Sequence, residues 1–346
     1  MSSTPEIAVI IPHYNGVAIL RDCLNSLFSS TGLPLDVILV DNASTDDSVK
    51  MVRSEFPTVR ILPQSQNRGF AGGCNAGIRA TEAPFVLILN NDTIHQTGWL
   101  ELLLEKIKSQ PELVAVQPKI LSWQNREQFD YSGAAGGELD IFGFPFARGR
   151  IFETIEMDEG QYNYLPDRIF WASGTAFLAR RELLIEAGLF DETFFAHMEE
   201  IDLQWRLQLM GYSVGVEPRA VIWHRSGSTL GAEAPLKKYL NHRNSLLMFL
   251  ANYKPLVTAY LLPIRILLDW MALAFSLMKL DLGRAGAILK AHGWIISHPA
   301  VTFKRRRQVR ALRRVTDSQI MEKLYRGSVA LSYYLLKKKS YLDLVN

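Results

Sequence analysis

Cysteine is nearly absent: Cys23 and Cys74 are the two in 346 residues, and they lie far apart, outside any ligand or redox spacing. That excludes a disulfide scaffold and suits a reducing compartment. No uncharged apolar run approaches the roughly 18 residues expected of a spanning helix. The opening stretch, Met1 to Gly16, has neither a basic leader nor a cleavage site, so no secretory signal is expected. There is no internal repeat and no low-complexity tract. Neither a P-loop nor a dinucleotide fingerprint occurs. Charged residues are held to 21% while hydrophobic ones reach 48%, which excludes disorder and collagen-like repeats and leaves a globular core. The length allows one large domain or two ordinary ones.

The net charge of +3 conceals an asymmetry. Residues 231–346 carry 20 Lys/Arg against 6 Asp/Glu, leaving 18 basic and 29 acidic residues in 1–230. An acidic first two-thirds followed by a basic, apolar last third suggests two jobs on one chain, divided near residue 230.

Through residue 120, short branched apolar runs alternate with amphipathic stretches. Ile7–Ile11, Leu35–Val40, Val59–Leu62, Phe85–Leu89 and Leu113–Val116 have the length and composition of buried parallel strands. Val17–Ser29, Asp46–Glu55, Ala71–Ala80 and Trp99–Ser109 read as helices, the second with Ser44 or Thr45 as a candidate cap. This is the pattern of an α/β fold, a parallel sheet covered on both faces, in which ligands bind beyond the carboxyl ends of the strands. The unusual residues fall there: Pro12–Gly16, Asp41–Asp46 and Asn90–Asp92. Residues 120–170, rich in glycine, aromatics and charge, read as a loop or small hairpin region whose aromatics could pack against a partner. Beyond them, Trp171–Ala179 is a strand candidate, Glu199–Met210 a helix, and Val214–Val216 and Ala220–Trp223 short strands.

Leu256–Leu280 is the most apolar stretch. At about 100° per residue, Thr258, Arg265, Asp269, Ser276 and Lys279 share an arc of roughly 80°. A wide apolar face with a narrow polar stripe fits a helix lying in a membrane interface, starting near Pro263. Residues 304–314 follow, with seven basic residues and no acidic one. Each could contribute about 1 kcal/mol near anionic lipid. The same features also describe a helix docked on its own protein with a solvated basic face.

Five constellations could carry chemistry. Asp41 ends a strand, where a carboxylate can contact a base or ribose, although an Asx-turn explains it equally. Asn90-Asn91-Asp92 follows another strand and could offer oxygen to a hard divalent cation, or form a polar turn. The glycines of 67–77 beside Asn67 and Arg68 let backbone N–H groups approach a phosphate, or permit close packing. Glu199, Glu200 and Asp202 head a helix, where acids complement the dipole, yet adjacent carboxylates raise each other's pKa as a general base requires. His224 ends a strand, a place more often filled by a structural histidine than by a ligand.

The order and spacing of these elements resemble glycosyltransferase family 2, the inverting enzymes of GT-A fold. The matching pieces span residues 9–15, 40–46, 67–75, 89–92, 171–176, 190–192, 199–203 and 224–228, and the likeness covers roughly residues 5–250. Tyr239 and Arg243-Asn244 bring it closest to bacterial rhamnosyltransferase-type enzymes of surface polysaccharide synthesis. The resemblance implies a GT-A catalytic domain over 1–230, with a nucleotide-sugar half at about 1–120 and an acceptor half at about 165–230, and a helical membrane-associating region over 231–346. Asp41 then matches the aspartate contacting the nucleotide base, with Pro12, Asn15, Asn67, Arg68, Gly69, Asn90 and Asn91 around the nucleotide diphosphate. Asp92 matches the last acid of the DXD motif, which holds Mg2+ or Mn2+, and His224 the histidine that completes that site. Glu200 falls where the family has the aspartate of an ED pair acting as base, with Glu199 and Asp202 as second candidates. The expected reaction moves a sugar, L-rhamnose by the resemblance to that branch, from a nucleotide diphosphate sugar to a hydroxyl of a lipid-linked saccharide at the cytoplasmic face of the inner membrane. An oligomer is possible.

Other classes fit less well. A nucleotidyltransferase needs a glycine-rich basic loop after the first strand, and Pro12-His-Tyr-Asn-Gly16 is not one. A processive synthase needs several spanning helices and a QxxRW motif, both missing. A catalytically degenerate module that binds nucleotide sugar or docks on membranes is the alternative. A role on nucleic acid is not expected, because residues 304–314 have no interleaved aromatics.

Overall fold

A computed structural model describes residues 5–225 and 235–345. Strands and helices alternate from the start: β1 (Ile7–His13), α1 (Val17–Ser30), β2 (Leu35–Asp41), α2 (Ser48–Glu55), β3 (Arg60–Pro63), α3 (Gly69–Arg79), β4 (Phe85–Leu89), β5 (Thr93–His95), α4 (Trp99–Ser109) and β6 (Leu113–Ser122). A small antiparallel sheet follows, built from β7 (Gly137–Leu139), β8 (Pro145–Ala147), β9 (Arg150–Ile151) and β10 (Thr154–Ile155). Then come β11 (Arg168–Ile169), β12 (Ala176–Arg180), α5 (Arg181–Glu186), α6 (Glu199–Leu209) and β13 (Ser213–His224). The longest C-terminal helices are α7 (Pro235–Asn252), α8 (Pro255–Met278), α9 (Leu282–Ser297) and α10 (Pro299–Leu312).

The main sheet runs β11-β13-β6-β12-β4-β1-β2-β3, with β5 on β13. Its β4-β1-β2-β3 half is parallel, as expected of a doubly covered sheet, and β12 enters antiparallel between β4 and β6. Alternate residues of β1 serve opposite faces. Ile7, Val9 and Ile11 pack with Leu20, Val52 and Leu100 of α1, α2 and α4. Ala8 and Ile10 pack with Cys74, Ile78 and Leu203 of α3 and α6. The carboxyl ends of β1, β2 and β4 thus leave the loops at 12–16, 41–46 and 90–92 on one edge.

Several expectations need correction. Residues 171–175 are loop, and the strand begins at Ala176. The two short strands at 214–223 are one strand with a register shift between Glu217 and Val221. Neither Ser44 nor Thr45 caps α2, because Asn15 holds both: Ser44 Oγ accepts from its N–H (3.1 Å), and the Thr45 N–H donates to its Oδ1 (2.8 Å). Three of the aromatics of 120–170 are covered by the chain's own end, where Phe129, Phe146 and Tyr162 pack with Tyr333, Tyr341 and Leu342, while Tyr131 and Tyr164 stay exposed. α8 starts at Pro255, not Pro263, which lies inside the helix on its exposed side. Its 24 residues make it, by length and composition alone, long and apolar enough to cross a membrane.

The basic run is also only partly a solvated face. Arg305 is buried and pairs with Asp191 and with Asp202 (2.6 Å). Arg306 donates to the carbonyls of Leu250 (2.8 Å) and Tyr253 (3.1 Å). Arg313 pairs with Asp317 (2.7 Å) and Arg314 with Glu186 (2.6 Å). Lys304, Arg307, Arg310 and Arg314 are on the exposed side, the last of them in its surface pair with Glu186. One core joins Phe170, Phe194, Ile201 and Trp205 to Leu246, Phe249, Tyr253, Leu268 and Val309 from the C-terminal helices. The proposed boundary at 230 falls within residues 226–234, outside the described residues.

Candidate active site

Asp41 is buried at the end of β2, and its Oδ1 accepts the N–H of Ser44 three residues on (3.0 Å), so the carboxylate closes its own loop; Asn42 donates to the Gly69 carbonyl (3.3 Å). Next door, the loop after β1 is zipped to the loop after β2: the Gly16 N–H donates to Asp46 Oδ2 (2.6 Å), and Asn15 takes a left-handed φ of 56°. Pro12 and Asn42 both lie against Gly73. Gly69 has φ 69°, and any Cβ there would collide with the Phe195 carbonyl, so glycine is required. The Asn67 Oδ1 accepts the Gly69 N–H (2.8 Å), while Arg68 is paired with Glu192 (2.6 Å). These contacts bring 12–16, 41–46, 67–75 and 190–195 together.

Behind them sits a second knot. Thr175 accepts the Asn90 N–H on its carbonyl (2.8 Å) and shares its hydroxyl with Ser132 (2.9 Å). Asn91 bonds His13 (2.7 Å), whose imidazole burial drives down to about 4, with Asp46 and Asp41 pulling the other way. His224, at the end of β13, is held between two carboxylates: Nε2 lies 3.1 Å from Asp92 Oδ1 and Nδ1 lies 2.9 Å from Asp130 Oδ1. Burial alone would lower its pKa, but Asp92 and Asp130 lift it to about 10. The remainder of its motif, 226–228, lies outside the described residues.

A divalent ion can be tested against this donor set. Two cis ligands, each about 2.1 Å from an Mg2+ or Mn2+ ion, would stand roughly 3 Å apart, and Asp92 and His224 do. A carboxylate oxygen and an imidazole suit either ion, and the second imidazole nitrogen already rests on a carboxylate, as metal-bound histidines usually do. Among the described residues no cluster of three or more His, Cys, Asp or Glu side chains could hold an ion alone. The two residues fit an ion whose other ligands come from elsewhere.

Asp130 was missed in the sequence. It sits in a stretch with no readable periodicity, and an isolated Asp-Tyr-Ser-Gly carries no spacing signal. Its Oδ1 also accepts from the Ser132 hydroxyl (2.5 Å) and N–H (2.8 Å).

The acids heading α6 separate into two kinds. Asp202 is fully buried and engaged by Arg206 (3.0 Å), Arg305 (2.6 Å) and Asn252 (2.9 Å). Despite burial, those partners hold its pKa below the usual carboxylate value. It is an anchor, with no oxygen left for a proton-transfer role. Glu199 and Glu200 have no cationic partner among the described residues. Burial raises both, Glu199 well above 4.5 with Glu200 adding to it. Glu200 faces the Gly174 amide. A Cβ built on Gly174 would stand 3.9 Å from the Glu200 Cβ and 3.1 Å from the Phe70 ring, so motifs 67–75, 171–176 and 199–203 meet there.

The loop entering α6 is strained: Phe195, His197 and Met198 have φ of 63°, 67° and 71°. Each costs on the order of 1–3 kcal/mol unless the surroundings impose it. Asn244 of α7 imposes it, donating to the carbonyls of Phe194 (3.1 Å), Ala196 (3.0 Å) and His197 (2.7 Å), and Arg243 donates to that of Thr193 (2.7 Å). The Arg243-Asn244 pair read from the sequence thus fixes the position of Glu199 and Glu200.

The comparisons agree with one another. One relative, "N-acetylglucosaminyl-diphospho-decaprenol L-rhamnosyltransferase" of Mycobacterium tuberculosis, is 27% identical over 265 residues, covering 72% of this chain and 85% of its own. The "Pre-mycofactocin glycosyltransferase" of the same species is 27% identical over 226 residues; the match covers 63% of this chain and 42% of that relative. Among solved structures, GalNAc-T7 with UDP, GalNAc and Mn2+ superposes with a TM-score of 0.56 at 14% identity, covering 74% of this chain and 49% of that one. The Pyrobaculum calidifontis mannosyltransferase in complex with GDP-Man and Mn2+ gives 0.52 at 17% identity, covering 90% and 86%. These two establish a GT-A fold. The family model "Glycosyl transferase family 2" matches residues 8–188, more than half of the sequence, and the chain belongs to glycosyltransferase family 2.

Proposed function

We propose that this chain is a non-processive, inverting glycosyltransferase, moving a sugar, L-rhamnose by its mycobacterial relative, from a nucleotide diphosphate sugar to a hydroxyl of a lipid-linked saccharide. It would work at the cytoplasmic face of the membrane, with 1–230 as catalytic part and 231–346 bracing it and meeting the lipid. The observation that carries this reading is the pair of buried Glu199 and half-buried Glu200, with no cationic partner among the described residues, held by a strained loop on the sheet edge where Asp92 and His224 converge. Asp41 would contact the base, with Pro12, Asn15 and the 67–69 loop lining the nucleotide and Asn90 and Asn91 flanking the diphosphate. Because Arg68 is paired with Glu192 in the structure, its contact with a diphosphate would require that pair to open.

Chemically, Glu200 takes the proton of the acceptor hydroxyl as that oxygen attacks the anomeric carbon from the face opposite the leaving nucleotide. One displacement inverts configuration and needs no enzyme nucleophile. Asp92 and His224 would hold Mg2+ or Mn2+, which would supply charge stabilisation for the departing diphosphate. Asp130 holds His224 Nδ1 and so keeps Nε2 toward Asp92.

The test is a calorimetric or thermal-shift panel of nucleotide diphosphates and nucleotide sugars, each with and without Mn2+ or Mg2+. Metal-dependent stabilisation by a pyrimidine diphosphate sugar is expected. No response from well-folded protein would favour a degenerate binding module. In the same assay Asp92→Ala should abolish the metal dependence, and because it removes one of the two buried carboxylates on His224 it should also lower the melting temperature without ligand. Asp130→Asn should weaken Mn2+ binding, read by calorimetry, by about 10–100-fold. Equal affinity would remove Asp130 from the site.

A further inference from the structure

α8 is inside-out. Its polar residues Thr258, Arg265, Asp269 and Ser276 are buried, with Arg265 fully inaccessible. Its large apolar ones face outward: Leu267 and Trp270 are each 59% exposed, Tyr260 73% and Leu256 83%. At about 100° per residue, the buried polar set occupies roughly 40° of the helix surface, and the exposed apolar set, which also holds Ile264 and Met271, spans roughly 120° on the opposite side. A helix on the surface of a protein in water has the reverse arrangement.

The inner face is firmly docked. Arg265 donates to the Phe142 carbonyl (2.7 Å), pairs with Asp269 (3.2 Å) and lies 4.1 Å over the Phe144 ring. Leu273 packs with Ala285 and Ile288 of α9. Crossing a bilayer would tear Arg265 and Asp269 from these partners into hydrocarbon, which is costly. α8 therefore lies along the body of the protein with its apolar side out. α9 adds Leu282, Leu289 and Ile296, spaced seven residues apart and all exposed.

Charge identifies what covers this face. Residues 254–314 hold twelve Lys/Arg and two Asp. Asp269 is buried, and Asp281 is paired with Lys238 (3.1 Å). Lys254 and Lys279 sit exposed at the two ends of the apolar stripe, where long cationic side chains can reach headgroups. Exposed Lys304, Arg307 and Arg310 add to the basic rim. A second copy of this chain would bring the same positive rim against itself.

We propose that the outer face of α8 and α9 inserts into the headgroup–acyl boundary of an anionic bilayer, and that hydrophobic insertion, rather than adsorption of the basic helix, provides most of the attachment. This deepens the membrane contact in the proposed function and rests on that reading. Its consequence is geometric, because α7, which packs on α9, carries the Arg243-Asn244 clamp, so the acceptor loop is braced by the helices that contact lipid.

The experiment is flotation with vesicles of phosphatidylcholine and phosphatidylglycerol at low and high salt. Wild type should float at both salt concentrations, and Lys304/Arg307/Arg310→Ser should weaken binding mainly at low salt. Leu267→Glu/Trp270→Glu should reduce vesicle partitioning by more than about tenfold. Leu289→Glu on α9 should weaken it too, and serves as the readout if the α8 variant misfolds. Vesicle binding of the folded Glu variants equal to wild type would overturn the proposal, as would a wild-type dimer that the Glu variants dissociate, since a second copy would then cover the face. Nucleotide binding by the same variants should equal wild type. Its absence in wild type would count against the transferase reading and not against this one.

Discussion

Glu200→Gln is expected to retain nucleotide diphosphate sugar binding and to lose transfer by about 10²–10⁴-fold in kcat, the range for a missing general base. The readout is transfer of radiolabelled sugar to a polyprenyl diphosphate-linked saccharide, with donor affinity followed by calorimetry. The variant keeps size and hydrogen-bonding capacity beside Gly174 and removes only the ability to take a proton. Glu199→Gln is the control. It lies deeper, with 4% exposure, so it should slow the reaction far less. The opposite ranking would move the base by one residue, and equal full activity in both variants would remove this acid pair from the chemistry.

The pair also predicts pH dependence. Burial raises both carboxyls above their ordinary value of 4.5. A base must be ionised to act, so kcat should fall on the acid side through a pKa higher than 4.5. Stability runs the other way. In the window between 4.5 and the raised values, the folded state keeps protons that the unfolded chain has lost, so stability falls as pH rises. Gln at either position should therefore raise the melting temperature at neutral pH by a few degrees. A stabilised, inactive Glu200→Gln would tie the loss of activity to the proton and not to misfolding.

The sheet edge was legible because its signals are local. Strands such as Phe85–Leu89 are continuous apolar runs, and the loops after β1, β2 and β4 stand out as polar residues where apolar ones end. Glu199–Leu209 was legible for the same reason, but the sequence could not separate Asp202 from Glu199 and Glu200. That distinction depends on Arg305, 103 positions away, and on Asn252, and no periodicity reports such contacts. Asp130 was invisible likewise, since its meaning comes from His224, 94 positions on. The direction of α8 was the hardest part. Its amphipathic stripe was visible in the sequence, but which side faces the body is set by the Phe142 carbonyl and the Phe144 ring. Pattern gives the stripe and only packing gives its orientation.

Arg305→Ala should be the most destabilising single change in the basic run. The guanidinium is 4% exposed, pairs with Asp191 and Asp202 at once, and lies 4.4 Å over the Phe194 ring. Removing it leaves Asp202, which has no exposure at all, with Arg206 and Asn252 alone. Breaking a buried pair from one side costs about 3–5 kcal/mol, a fall in melting temperature on the order of 10 °C. Arg307→Ala, two residues away and exposed, should stay within about 0.5 kcal/mol of wild type. Equal melting temperatures for the two variants would refute the structural role. Arg305→Ala should also lower kcat more than it changes donor affinity, because Asp191 precedes the strained loop and Asp202 lies in the first turn of α6, on either side of Glu199 and Glu200. Vesicle binding, carried by the outer face of α8 and α9, should persist in any folded Arg305→Ala protein. That dissociation would separate the two uses of positive charge in this region: Arg305 acts inward to fix the acid pair, while Lys304, Arg307 and Arg310 act outward.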